Sequence, residues 1–281
     1  MRSIRYTRRY RKQNCYPMKK ILFSLLLILA GCDQPDQHTA GPATSFDVPP
    51  MPDFSTINDV QEKKQAFFDY LLPLVEEANS RILAERALAE KWLLEPDSLS
   101  TAEQQELQHL LEKYRITTDI PEQQQDLLLR RVNAIPPSLV LAQAANESAW
   151  GTSRFARDGN NLFGQWCFSE GCGLIPEGRG EDGRHEVRAF ADPLQSIESY
   201  MRNLNSHPSY RQLRELRLQE LEQQGYPSGI TLSQGLQSYS ERGQDYIDEI
   251  QQMIEFNQLQ RFDVTSPGGD NQRDSDSASG E

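Results

Sequence analysis

Apolar side chains follow three rhythms along this chain. The first is a solid run of ten residues without a charge, Ile21 to Ala30. The second is helical. From Val60 to Leu94, Phe67, Phe68, Leu71, Leu74, Val75, Ala78, Ile82, Leu83 and Leu88 recur at three- and four-residue spacing, which predicts a helix that Pro73 either kinks or begins. Further helices are predicted over Ala102 to Tyr114 behind the cap-like Ser100-Thr101, over Pro121 to Val132, and from Pro136-Pro137 to a stop at Gly151. The third rhythm is alternation. Between Asn160 and Phe190 glycines crowd the chain, helical spacing vanishes, and His185 to Phe190 alternates like a short strand. Helices resume at Pro193 and run to about Phe256. The fold class expected over 58–262 is mainly α, with one small Gly-rich β insertion. Residues 32–57, rich in Pro, Asp, Gln and Thr, read as a flexible tether, and 263–281 as a disordered acidic tail.

The solid run belongs to the amino end. It is too short to cross a bilayer comfortably as a mature helix. Basic residues precede it and small ones close it, the pattern of an export signal over 1–31. Met18 is an alternative start that leaves a short, conventional leader. Leu29-Ala30-Gly31-Cys32 resembles the bacterial lipobox, in which Cys32 is acylated and becomes the first mature residue; the alternative is an ordinary signal with a chance cysteine. The expected location is the cell envelope, lipid-anchored and facing the periplasm, with Asp33 after the cysteine pointing to the inner membrane.

Removing 1–31 changes the charge. The whole chain carries −12, whereas the mature one sets 21 Lys and Arg against 41 Asp and Glu, a net −20. So acidic a chain is a poor partner for nucleic acid, which binds through released counter-ions. Membrane contact would rest on the acyl chains. A monomer is expected. Of four cysteines, Cys15 is lost with the leader and Cys32 is lipidated, leaving Cys167 and Cys172 as a disulfide candidate in an oxidising compartment. The four histidines show no ligand spacing, so neither metal nor cofactor is expected.

The segment Ser138 to Gly151 is small or apolar nearly all round, so its helix should be buried. Glu147 lies in its last turn. Burial there disfavours the charged carboxylate, and so does the partial negative charge of a helix C-terminus. Trp150 adds a candidate apolar wall. A carboxyl whose pKa is raised in this way suits proton donation to a glycosidic oxygen. Alone, such a Glu could equally sit on the exposed edge of its helix.

Its neighbours carry a resemblance. Ala145-Asn146-Glu147-Ser148-Ala149-Trp150-Gly151, then Ser153-Arg154-Phe155-Ala156, then Asn160-Asn161-Leu162-Phe163-Gly164 is similar to the signature of the bacterial β-N-acetylglucosaminidases of glycoside hydrolase family 73. His185 to Phe190, Ser196 to Tyr200 and Asn203 to Tyr210 resemble its Bax-type branch. The resemblance implies a lysozyme-like fold. It implies hydrolysis of the β-1,4 bond after N-acetylglucosamine, with endo cleavage expected and Glu147 matching the catalytic acid. Export and lipidation point to peptidoglycan glycan strands as substrate.

A second carboxylate is proposed for some members. Candidates are Glu177, Glu181, Asp182 and Glu186, with Glu186 favoured for its place on a readable strand and Glu177 next; each is equally readable as a solvated residue. Alternatively the substrate's own acetamide acts as nucleophile and no second acid is needed. Tyr239 matches a tyrosine that the family places near the catalytic Glu, or is a core residue. Trp166 and Phe163 either wall a sugar groove or fill the core. Trp150 and Asn161 complete the set of candidate substrate contacts, although Asn160 and Asn161 read better as ties of their loop's backbone to the catalytic helix. Two other readings of the whole are a glycan- or partner-binding lipoprotein that does not cleave, and a structural lipoprotein.

Overall fold

A computed structural model describes residues 46–178 and 183–263. The leader, Cys32, Asp33, Glu181, Asp182 and everything past Asp263 lie outside the described residues. Nearly every described element is helical. The first helix, α1 (Val60–Leu94), is capped by Asp59, whose side chain accepts the Glu62 N–H, and it continues past Pro73. Pro73 therefore neither begins nor ends it. Next comes α2 (Thr101–Lys113) behind a complete capping box, in which the Ser100 side chain takes the Glu103 N–H and Glu103 returns to the Ser100 N–H. Then follow α3 (Pro121–Arg131), α4 (Pro137–Glu147) and a short α5 (Arg154–Gly159) that hydrophobic spacing did not predict. The later helices are α6 (Pro193–Ser206), α7 (Arg211–Gln224), α8 (Gly229–Ser233) and α9 (Gln244–Phe256). No described helix is long and apolar enough to cross a membrane.

The β insertion is a small antiparallel sheet of β1 (Trp166–Cys167), β2 (Gly173–Leu174) and β3 (Glu186–Arg188), with β3 in the middle. Its register pairs Cys167 with Glu186 and Gly173 with Arg188. Strands this short hold together poorly by ladder bonds alone. A Cys167–Cys172 disulfide, Cα to Cα 6.2 Å, closes the loop between β1 and β2.

The axis of the core is α4. It packs against α1, α8 and α9 and against the closing 3₁₀ turn Leu259–Phe262. Leu139, Val140 and Leu141 have no exposed surface, and each contributes about 1.5–3 kcal/mol by leaving water. The expected stop at Gly151 is four residues late. After Glu147 the backbone leaves the helix, and Ala149, Trp150 and Gly151 all take positive φ. The Ser148 hydroxyl accepts the Gly151 N–H at 2.8 Å and tightens that turn. Gly151 is irreplaceable there, because a Cβ at its φ of +75° would lie 2.6 Å from the Phe54 ring.

Phe54 also corrects the tether reading. It is fully buried, and Phe46, Val48, Met51 and Ile57 pack on the same core. A Pro- and Asp-rich composition concealed these spaced apolar anchors, so 46–57 is part of the body. Asp263, placed by sequence in the tail, is buried as well.

Candidate active site

Glu147 is the last residue of α4, half-buried, facing α9. Four residues earlier, one turn away on the same face, lies Gln143, a long polar side chain with no exposed surface. Its amide joins two phenols. Gln143 Nε2 donates to the Tyr246 hydroxyl at 2.9 Å, and Gln143 Oε1 accepts from the Tyr200 hydroxyl. Tyr246 in turn donates to Glu147 Oε1 at 2.7 Å. The order of donors is dictated by chemistry. An amide N–H can only donate, so the Tyr246 oxygen accepts it and aims its single proton at Glu147. Oε1 is thereby committed as an acceptor, and an acid proton on Glu147 belongs on Oε2.

Burial is the largest influence on Glu147 and raises its pKa above the ordinary carboxylate range. The Tyr246 hydrogen bond pulls it down, Glu249 pushes it up, and Asn146 and Arg242 pull it down; burial prevails. Tyr200, Tyr239 and Tyr246 all lie above the usual phenol range, chiefly through burial, and so stay protonated donors. Aromatic stacking holds the cluster. Tyr239 lies parallel to Tyr246 with centroids 5.3 Å apart and meets Tyr200 edge-on at 6.5 Å. Phe163 stacks on Tyr200 at 3.9 Å.

The residues picked out by sequence divide into those beside Glu147 and those elsewhere. Tyr239 belongs to its cluster. Phe163 supports the cluster from behind; at 4% exposure it is a core residue and offers no face to a sugar. Trp150 turns to α1, edge-on to Phe67 and Phe68 at 5.7 and 5.4 Å with the Lys64 ammonium over its ring. Asn161 is saturated. Its amide donates to Gln165 O and Arg188 O and accepts from Phe163 N and Gln165 N, which ties the loop to β3. Asn160, at φ 51°, caps α5 and donates to Phe190 O and Ala191 O. Trp166 is 60% exposed and stacks on His185 at 4.4 Å, leaving a broad aromatic surface open on the sheet.

Glu186 is buried, and its carboxylate accepts the N–H groups of Gly171 (3.1 Å) and Gly173 (2.8 Å), so it braces the disulfide loop. Glu177 is exposed. Cys167, Cys172 and Glu186 cluster closely, but the sulfurs are consumed by the disulfide and the carboxylate by those amides. Sequence reading missed Gln143, Tyr200 and Tyr246. A signal existed for Gln143, the one long uncharged polar side chain on an otherwise apolar helix and one turn from Glu147. For the tyrosines there was none, since separate helices deliver them.

The chain is 32% identical over 217 residues to "Protein bax" of Escherichia coli (strain K12), covering 74% of each chain. It belongs to the glucosaminidase family of glycoside hydrolases. The family model, described as mannosyl-glycoprotein endo-β-N-acetylglucosaminidase, matches residues 127–259, a stretch that holds Glu147 and the whole Tyr–Gln cluster. No solved structure matches the chain. Within this glucosaminidase, α1 and the Phe54 segment lie outside the family stretch yet back the turn that follows Glu147.

Proposed function

We propose that this glucosaminidase is exported, anchored through acylated Cys32, and cleaves the β-1,4 bond after N-acetylglucosamine in peptidoglycan from within the glycan strand. Glu147 is the general acid. The observation that carries the reading is a carboxyl raised by burial with its Oε1 held by the Tyr246 hydroxyl. The Oε2 proton passes to the leaving glycosidic oxygen as its bond to C1 breaks. The substrate's acetamide oxygen attacks C1 and closes an oxazolinium ring. Water then opens that ring at C1 and returns a proton to Glu147. Acetamide participation is favoured because, among the described candidates, Glu186 is engaged by backbone amides and Glu177 is exposed. Trp166 offers the aromatic face on which a sugar ring would stack.

Digestion of purified sacculi followed by muropeptide analysis tests this. Fragments ending in reducing N-acetylglucosamine, released first with the β anomer, are expected. Intact sacculi across pH and salt would overturn the enzymatic reading, and glycan affinity without product would replace it with a binding role. Initial release of the α anomer would overturn acetamide participation alone.

A further inference from the structure

Away from Glu147, a cleft of about 420 Å³ opens between α3 and α7. In a chain of strong negative charge its lining is cationic, with Arg130, Arg131, Arg211 and Arg214 facing Asp126 and Glu215. Two of these arginines are paired along their own helices, Arg130 with Asp126 at 2.9 Å and Arg211 with Glu215 at 2.8 Å. The other two are not. Among the described residues, no carboxylate lies within ion-pair distance of Arg131 or Arg214. Each spends one nitrogen, Nη1, on the end of a neighbouring helix. Arg131 caps Tyr114 O and Arg115 O past α2, and Arg214 caps Leu204 O and His207 O at the end of α6.

That leaves the Nε–Nη2 edge of both guanidiniums. Arg214 is 6% exposed, and its remaining nitrogens still reach solvent where the side chain lines the cleft. Burial, with Arg131 next in effect, brings Arg214 down to about 10. Behind it Arg217 is wholly buried and bonded only to carbonyls and the Asn205 side chain. A buried guanidinium without a counter-charge is costly, and an anion brought to its open edge repays that cost. The Nε–Nη2 edge is the fork that grips a planar carboxylate through two parallel bonds.

We propose that the α3–α7 cleft binds a small carboxylate-bearing ligand of amino-acid or peptide type, held by the free edges of Arg131 and Arg214. The Asp126 and Glu215 carboxylates in the same lining repel the second negative charge of a phosphate dianion and can accept from an amine or amide beside a single carboxylate. The Leu127 and Leu218 side chains supply the apolar wall for the ligand's carbon chain.

Titration of the purified chain with glutamate, the dipeptide Ala-Glu, inorganic phosphate and sodium chloride at matched ionic strength is the test, followed through the arginine Nε–H resonances. Saturable shifts of Arg131 and Arg214 with glutamate or Ala-Glu, and none with chloride, are expected. Preference for Ala-Glu would identify a peptide-borne carboxylate as the source, and preference for glutamate a free one. Arg131→Lys keeps the charge and removes the fork, so affinity should fall about tenfold or more with unchanged far-ultraviolet dichroism, the loss of one charge-assisted bond. Equal response to chloride, stronger response to phosphate, or undiminished binding by the Lys variant would each overturn the proposal. Because the wild-type titration decides independently, a variant that failed to fold would not rescue it.

Discussion

Two carboxylates, one buried and one half-buried, sit at opposite ends of α4, and they behave as different chemical objects. At the N-terminal end Pro136 and Pro137 begin the helix and neither can cap it with a side chain. Asp263 does so from 125 residues away in sequence. Its oxygens accept Ser138 N at 3.0 Å, Ser138 Oγ at 2.6 Å and Gly229 N at 3.0 Å. At the C-terminal end Glu147 accepts from the Tyr246 phenol and is also lowered by the Asn146 side chain, and the helix terminus there carries the negative end of the dipole. Burial raises both pKa values. The difference lies in donors and dipole. At the positive end three donors oppose that rise and hold Asp263 as a clamp. At the negative end the Tyr246 and Asn146 side chains oppose it, while Glu249 adds to it.

The sharpest way to break this contrast is Glu147→Gln. If Glu147 is the general acid we propose, its loss should lower the rate of sacculus digestion by about 10²–10⁴-fold. The same change should stabilise the fold near neutral pH. A carboxyl whose folded pKa is raised contributes stability below its unfolded pKa and loses it as pH rises through the folded value, so the Gln variant escapes that loss. Melting temperatures at pH 4 and pH 7.5 would show a gain only at the higher pH. A loss of stability there would mean that Glu147 is a brace after all.

Asp263→Ala should do the reverse. Two backbone amides and a hydroxyl lose their acceptor in the core, costing about 2 kcal/mol of stability, measurable by urea unfolding. Because burial raises the Asp263 pKa as well, the loss should be largest in acid, below the unfolded carboxyl pKa, and shrink as pH rises through the folded value. An unchanged urea midpoint would mean that Asp263 is no clamp and would remove the contrast.

Tyr246→Phe sharpens the picture further. It removes the donor that favours the charged form, so the Glu147 pKa should climb and the alkaline limb of the pH–rate profile should move up by about one unit, the equivalent of one charge-assisted bond. A lower rate with an unmoved limb would reduce Tyr246 to packing. At the small end, Glu177→Gln should leave rate and stability within about 0.5 kcal/mol of wild type, as exposed substitutions usually do.

Much of the fold was legible because it is local. The bounds of α1, the capping box before α2 and the Gly-rich insertion each follow from side chains a few residues apart, where spacing and cap chemistry decide the backbone. The disulfide was expected from two thiols five residues apart behind a leader that reads as an export signal. Asn160 and Asn161 were legible as ties but with the wrong partner, since their amides hold the backbone of Gln165, Arg188, Phe190 and Ala191 and not the helix of Glu147. Phe163 was not resolved, since an aromatic beside a Gly reads the same whether it faces a groove or, as here, the Tyr200 ring.

By itself, the sequence determined that a carboxylate closes a nearly uncharged, apolar helix, and helical periodicity with the terminal dipole sufficed to mark it as perturbed. Which oxygen keeps the proton was decided only in three dimensions. Gln143, Tyr200 and Tyr246 come from α4, α6 and α9, and the directed chain exists only once those helices pack. The same holds for Asp263 and for Arg131 and Arg214. Periodicity reports which way a side chain faces, whereas a hydrogen bond needs its partner within about 3 Å. For residues a hundred positions apart, that distance is a property of the packed core alone.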